Sequence, residues 1–234
     1  MERLSSGLRI NKAKDDAAGQ GIATRLTAEI QGLSMAARNA ADAQALVDTA
    51  EASHQEVHNM LLRMRELAVQ AANGTLTDAD RTALNTEVTA LETEISNMSN
   101  NTQFGGISLA ASSALKFQIG VNNGDANTVS HTFAKFTATA ISANVDVTSA
   151  GSARNAISTI DAAISTISTR RGALGALSNR LSSVIANLDN IKVNLSSARG
   201  RIQDTDFAVE TSNLAKSQIM QQAATAMLAQ ANAS

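Results

Sequence analysis

The sequence predicts a mainly α-helical fold: an elongated bundle of long antiparallel helices with a small β-hairpin region. Three observations carry this expectation. None of the 234 residues is Pro, and long helices exclude Pro because it lacks an N–H and clashes with the preceding turn. Aromatic residues make up 2% of the chain, with no Trp and no Tyr. Small aliphatic side chains must then fill the centre, which suits helices lying close together better than a deep, ring-lined ligand pocket. Finally, Ile160, Ile167, Leu174, Leu181, Leu188, Leu195 and Ile202 recur seven residues apart, the spacing of a helix-packing seam.

The first long helix is expected over about residues 21–73. Ile22, Leu26, Ile30, Leu33, Ala37 and Ala40 step by three or four, and Val47, Ala50, Val57, Leu61, Met64 and Ala68 continue the stripe. Unbroken, such a helix would reach about 75–80 Å at ~1.5 Å per residue. Asn73-Gly74 is a stop signal. Thr77, with Asp80 three residues on, then reads as an N-cap with an acidic first turn. Leu84, Val88, Leu91 and Ile95 stripe a second helix over about 77–100, and the short turn before it makes the two helices antiparallel.

The character changes over about 104–147. Phe117, Ile119 and Val121 alternate, NNGDAN follows as a turn, and Val129 and Phe133 resume the pattern, a hairpin signature. A third long helix is expected over about 152–203. Its seam is partnered by Ala163, Leu177, Val184, Ile191 and Ala198, with Arg170 as the exception, and Gly172 and Gly175 mark a place for close approach. The last stretch, NLAKSQIMQQAATAMLAQANAS, places Leu214, Ile219, Ala223, Met227 and Ala231 on one side of a helix. Residues 1–20 are polar and Gly-containing and cannot cover that stripe.

Composition excludes several function classes. A net charge of −2 gives no electrostatic footprint for nucleic acid. No run of eighteen apolar residues occurs, so membrane insertion is not expected. The absence of Cys removes disulfides and thiolate metal sites. No cofactor motif is found. In HQEVH, His54 and His58 are one helical turn apart, which is metal-ligand spacing. The zinc-protease pattern, however, needs Glu directly after the first His, and Gln55 stands there. Asp15-Asp16 and Asp204-x-Asp206 read as turns and helix caps rather than acid–base pairs. No catalytic residue is assigned, and the chain is not expected to be an enzyme. Arg63 and Glu66, three apart in LLRMRELAVQ, can pair beside aliphatic groups in an interface-like patch.

Several strings, taken in order, resemble bacterial flagellins: ERLSSGLRINKAKDDAAGQGIATRL, RMRELAVQAANGT, LETEISNMSNNTQFGGISL, KFQIGVNNGDANT, and the region from LGALSNRL through SARGRIQDTDFAVE to MLAQAN. The resemblance covers most of the chain apart from about residues 130–152. It implies a structural subunit that stacks with other flagellin subunits into the extracellular flagellar filament. The implied layout is a spoke-like segment at 1–20, a rod-shaped core domain at 21–203 and the start of the C-terminal assembly helix at 204–234. Against the family pattern the chain reads as truncated at both termini, which implies that it does not polymerise by itself. The family implies export unfolded through the flagellar secretion channel, with an export chaperone and the filament cap as further partners. It also implies recognition by Toll-like receptor 5 through Arg63, Leu67 and Glu87, the positions that match the family's receptor-binding residues.

A second reading of the same residues is a flagellin-like surface protein with a ligand-binding or adhesive role, its site in residues 116–147. A third makes His54 and His58 the metal ligands of an enzyme.

Overall fold

The computed structural model describes residues 2–109, 114–133 and 145–233. Residues 110–113 and 134–144, which fall inside the expected hairpin region, lie outside the described residues. The fold is mainly α, as expected. Helix α1 spans Glu2–Ser6, α2 spans Ala17–Ala71, α3 spans Asp78–Asn101, α4 spans Ala150–Gln203 and α5 spans Phe207–Ala233. Two antiparallel hairpins sit between α3 and α4 in sequence: β1 (Gln103–Phe104) with β2 (Ile107–Ser108), and β3 (Ala114–Gln118) with β4 (Thr128–Thr132). The chain divides into two units, residues 36–186 and residues 1–35 with 187–234.

In the larger unit, α2 buries Ala36, Ala40, Ala43, Val47, Ala50, His54, Val57, Leu61, Met64, Ala68 and Ala71. These positions advance alternately by four and three, the heptad step of helices that share a seam. α4 answers with Ala153, Ala156, Ile160, Ala163, Ile167, Leu174, Leu177 and Leu181 on the same rhythm. Val88 and Ile95 of α3, with Val145 and Val147, join the Val57–Ile167 part of this core. The Ala40–Ala50 part packs with Leu174, Leu177, Leu181, Leu109, Ile119, Val129 and Phe133. Backbone ties to α3 hold the entry to α4. The Val145 N–H donates to Glu92 Oε1 at 3.2 Å and the Val147 N–H to Asn85 Oδ1 at 3.1 Å.

The turn into α3 forms as read. Thr77 is the N-cap, and its backbone N–H and the Asp80 carboxylate, with the Thr77 hydroxyl and the Asp80 N–H, close a reciprocal capping box. The Thr77 hydroxyl donates to the carboxylate as well, at 2.6 Å. These bonds hold the Asp80 carboxyl below the usual carboxylate range.

The β3–β4 hairpin pairs Phe117 with Val129 and Leu115 with His131. Alternation puts Leu115, Phe117 and Ile119 toward the core, but Val121 is exposed. The strand has already ended at Gln118, whose Nε2 donates to the carbonyls of Gly120 and Asn122 and starts the turn early. In the tighter β1–β2 hairpin, Gly105 and Gly106 have φ of 56° and 82°, backbone that a side chain would strain.

In the smaller unit the seam of α2 runs through Ala23, Leu26, Ile30 and Leu33. Ile22 is exposed, contrary to the expected stripe, because stepping back from Leu33 by three and four reaches Ala23 and leaves Ile22 about 100° off the seam. Asp16 caps α2, its Oδ1 accepting the Gly19 N–H at 2.9 Å. Asp15 accepts the N–H groups of Lys12 and Asn11, which lowers its pKa. Asp206 caps α5 by accepting from Ala208 and Val209. Three of the four carboxylates in the two paired motifs are thereby spent on local structure. The segment before Asp15 docks on the end of α4. The Arg9 N–H donates to the Gln203 carbonyl at 2.7 Å, Arg9 Nη2 to the Ile202 carbonyl at 2.7 Å, and the Thr205 N–H to the Gly7 carbonyl at 3.0 Å. Two carbonyls orphaned at the helix C-terminus are thereby satisfied.

Candidate functional site

Three sets of residues were singled out from sequence, and the structure places them differently. The seam residues Ile160, Ile167, Leu174 and Leu181 of α4 are buried in the larger unit. Leu188 is buried in the smaller unit, where Leu195 and Ile202 are half-buried. Gly172 and Gly175 do not mark a close approach, since a Cβ at either would meet open space. Gly175 instead borders a groove of about 710 Å³ lined also by Asp48, Glu51, His58 and Arg171.

Arg63 and Glu87 are brought together across α2 and α3. Arg63 Nε donates to Glu87 Oε1 at 2.8 Å, and its Nη1 donates to Glu66 Oε2 at 3.1 Å. Glu87 first, then Glu66, raise the guanidinium pKa further, and all three groups face solvent. Leu67 lies one turn from Arg63 but is 1% exposed, packed in the core beneath the ridge. It supports the backbone that presents Arg63 and is not itself part of the free surface. A second interhelix pair, Arg65 Nε to Asp161 Oδ1 at 2.6 Å, and a third, Arg171 to Glu51 at 2.7 Å, escaped the sequence reading because partners 96 and 120 residues apart leave no local signal.

The last helix carries the most exposed apolar surface. Leu214 is half-buried, Ala223 and Ala231 are exposed, Ile219 is 66% exposed and Met227 72%. Met220 and Leu228, which a single stripe left out, are equally open. Each follows a stripe residue directly, about 100° further round the helix. α5 therefore exposes large apolar groups on more than one side. Within the described chain, Arg3 of α1 reaches α5 through Glu210 at 3.8 Å.

His54 is tied back to its own helix. The Nδ1–H of His54 donates to the Ala50 carbonyl at 2.7 Å. Among the described residues, no three His, Asp or Glu side chains are grouped to hold a metal ion. Also among the described residues, no helix is long and apolar enough to cross a membrane. Long helices with heptad seams, and a last helix that exposes Ile219, Met220, Met227 and Leu228, are features of a structural protein that packs helix on helix.

Comparison with known proteins identifies the family. The bacterial flagellin N-terminal helical region matches residues 1–114, and the bacterial flagellin C-terminal helical region matches residues 157–234. A flagellin of Halalkalibacterium halodurans is 44% identical over 236 residues, covering 99% of this chain and 86% of its relative. Flagellin A of Vibrio cholerae is 34% identical, covering 99% and 89%. Among solved structures, Bacillus cereus flagellin superposes with a TM-score of 0.57 at 28% identity, covering 64% of this chain and 88% of that one. A structure assigned to a flagellar hook-associated protein of Vibrio parahaemolyticus has a TM-score of 0.69 at 15% identity, covering 81% and 100%, which is a likeness of fold. The chain belongs to the bacterial flagellin family. Its role is that of a structural subunit of the flagellar filament, outside the cell, in contact with other flagellin subunits.

Proposed function

We propose that α5 is the element through which this subunit joins its neighbours, with Leu214, Ile219, Ala223, Met227 and Ala231 as its contact stripe. The carrying observation is the exposure of Ile219, Met220, Met227 and Leu228 together on one helix. Four large apolar groups left in water, in two pairs about two turns apart, favour a partner surface by roughly 25 cal/mol per Å² covered. In this reading, residues 1–20 form the spoke-like segment, 21–203 the core domain and 204–234 the start of the assembly helix. The subunit leaves the cell through the flagellar export channel, attended by an export chaperone and added beneath the filament cap. The test is seeded filament growth with Ile219→Asp and Met227→Asp together. Pelletable incorporation should fall by roughly tenfold or more, while the circular dichroism of the soluble subunit stays helical. Undiminished incorporation would remove α5 from the assembly surface.

The ridge of Arg63 and Glu87, supported from below by Leu67, is the surface proposed for Toll-like receptor 5. The solvent-facing, hydrogen-bonded Arg63–Glu87 pair supports this reading. A receptor-reporter assay should respond to the parent protein and lose the response with Arg63→Ala and with Glu87→Lys. A silent parent protein would end this reading.

A further inference from the structure

Two Asn-Gly pairs occur in the chain, Asn73-Gly74 and Asn123-Gly124. Both stand in turns of the larger unit, and all four residues are exposed. Asn before Gly is the pairing in which a backbone nitrogen reaches the side-chain amide carbon most easily, because Gly carries no Cβ to crowd the approach. The fold treats the two pairs differently.

Asn73 is tied down through its N–H, its carbonyl and its side chain. The N–H donates to the Gln70 carbonyl at 3.1 Å, the carbonyl accepts from Arg81 Nη2 at 2.9 Å, and Oδ1 accepts from the Thr75 N–H at 3.2 Å. The last bond closes an Asx turn, which fixes the side chain against the backbone. A ring between the Gly74 nitrogen and Asn73 Cγ needs both the side-chain and the backbone torsion to turn, and these bonds resist it. Asn123 has no such ties. Among the described residues, nothing hydrogen-bonds its side chain, and the Gly124 N–H has no acceptor. Gly124 has a φ of 137°, and an added Cβ there would meet nothing within 4 Å. The anchors of this turn stand to either side. Gln118 Nε2 donates to the Asn122 carbonyl at 3.0 Å, the Asn127 N–H to the Gly124 carbonyl at 3.0 Å, and the Ile119 N–H to the Asn127 carbonyl at 2.8 Å. They hold the hairpin but leave the Asn123 amide and the Gly124 nitrogen in water.

We propose that Asn123 is a site of spontaneous deamidation, and that the fold protects Asn73 from the same reaction. Hydroxide removes the Gly124 N–H proton, and the nitrogen attacks Asn123 Cγ. The N–Cγ bond forms, the Cγ–Nδ2 bond breaks, and ammonia leaves after taking a proton from water. Water then opens the cyclic imide. Cleavage of the new N–Cγ bond leaves ordinary aspartate. Cleavage of the original peptide bond leaves isoaspartate, with the main chain routed through the side chain. The sequence consumes water and hydroxide acts only as catalyst, so no oxidant or reductant enters. Either product places a new carboxylate two residues from Asp125, on a chain whose formal charge is already −2. Isoaspartate also adds a carbon to the main chain inside the loop that the Ile119–Asn127 bond closes, and so loosens the end of the β3–β4 hairpin.

The test incubates the full chain in mildly alkaline buffer, folded and in guanidinium chloride, and samples both over weeks. Peptide mass mapping follows the two sites, and an isoaspartyl methyltransferase with a labelled methyl donor counts isoaspartate. In the folded chain Asn123 should convert several-fold faster than Asn73. In guanidinium chloride the Asn73 rate should rise to approach that of Asn123, because the ties that separate them are gone. Asn123→Gln, which needs a larger ring, should lose the conversion at that position with helicity kept. An Asn123 left intact in the folded chain, or equal rates at the two sites when folded, would overturn the proposal. So would a gap that persists unchanged in guanidinium chloride, since it would then belong to the flanking sequence and not to the fold.

Discussion

The guanidinium of Arg81, in the first turn of α3, closes the end of α2: its Nε donates to the Ala71 carbonyl at 2.9 Å and its Nη2 to the Asn73 carbonyl at 2.9 Å. Arg81 is buried, and the remaining contact of its head is Asp78 at 3.2 Å. A charged donor on two backbone carbonyls, shielded from water, is stronger than a surface ion pair. Arg81→Ala should destabilise the subunit by about 2–3 kcal/mol, read as a lowered urea midpoint with unchanged slope. Arg81→Lys should recover only part of it, since one ammonium cannot span both carbonyls.

Gly172 and Gly175 lie inside α4 with nothing within reach of an added Cβ. Each exposes backbone and costs helix propensity without relieving a contact. Gly172→Ala and Gly175→Ala should each stabilise the protein by about 0.5–1 kcal/mol and should add when combined. Thermal melting of the two single variants and the double variant checks this.

His54 makes stability depend on pH. Burial, reinforced by the Arg170 and Arg171 charges and opposed by the Ala50 hydrogen bond and Glu51, lowers its pKa from 6.5 to about 4. Between these values the unfolded imidazole is protonated while the folded one is neutral. The contribution is therefore complete above pH 6.5, is lost as pH falls toward 4, and changes little below that. The loss is on the order of 3 kcal/mol. Urea unfolding at several pH values across this window should show it, and His54→Leu should flatten that portion of the profile.

Leu181 and Leu195 share a heptad position on α4 but differ in burial, 0% exposed against half-buried. Leu181→Ala should cost about 2–5 kcal/mol because it leaves a cavity in a closed core. Leu195→Ala should cost roughly 1 kcal/mol, because water already reaches part of the site. Equal losses in parallel denaturation curves would show that Leu195 is more enclosed than its exposure implies.

Much of the helical framework was legible because heptad spacing and capping are local. Thr77 with Asp80, Asp16 and Asp206 carry their instructions within three residues, and the seam from Ile160 is periodic. Ile22 misled because a run of apolar and small residues permits two neighbouring stripes, and only packing selects Ala23. The glycines of α4 misled because Gly signals both close approach and simple tolerance, which differ only in what stands opposite. On α5, tracking one stripe hid Met220 and Leu228.

The docking of residues 7–9 on the end of α4 ties together positions 193 residues apart. Closing so long a loop has an entropic cost, and contacts of high sequence separation form slowly. The hairpin of β3 and β4, by contrast, can close from neighbours in the chain. The folding order is thereby biased: local turns come first, and the join of the two ends comes last. A chain released end first into water, in either direction, cannot make that join until its far end has emerged. Until then the Ile202 and Gln203 carbonyls and the Arg9 donors have only water as partners.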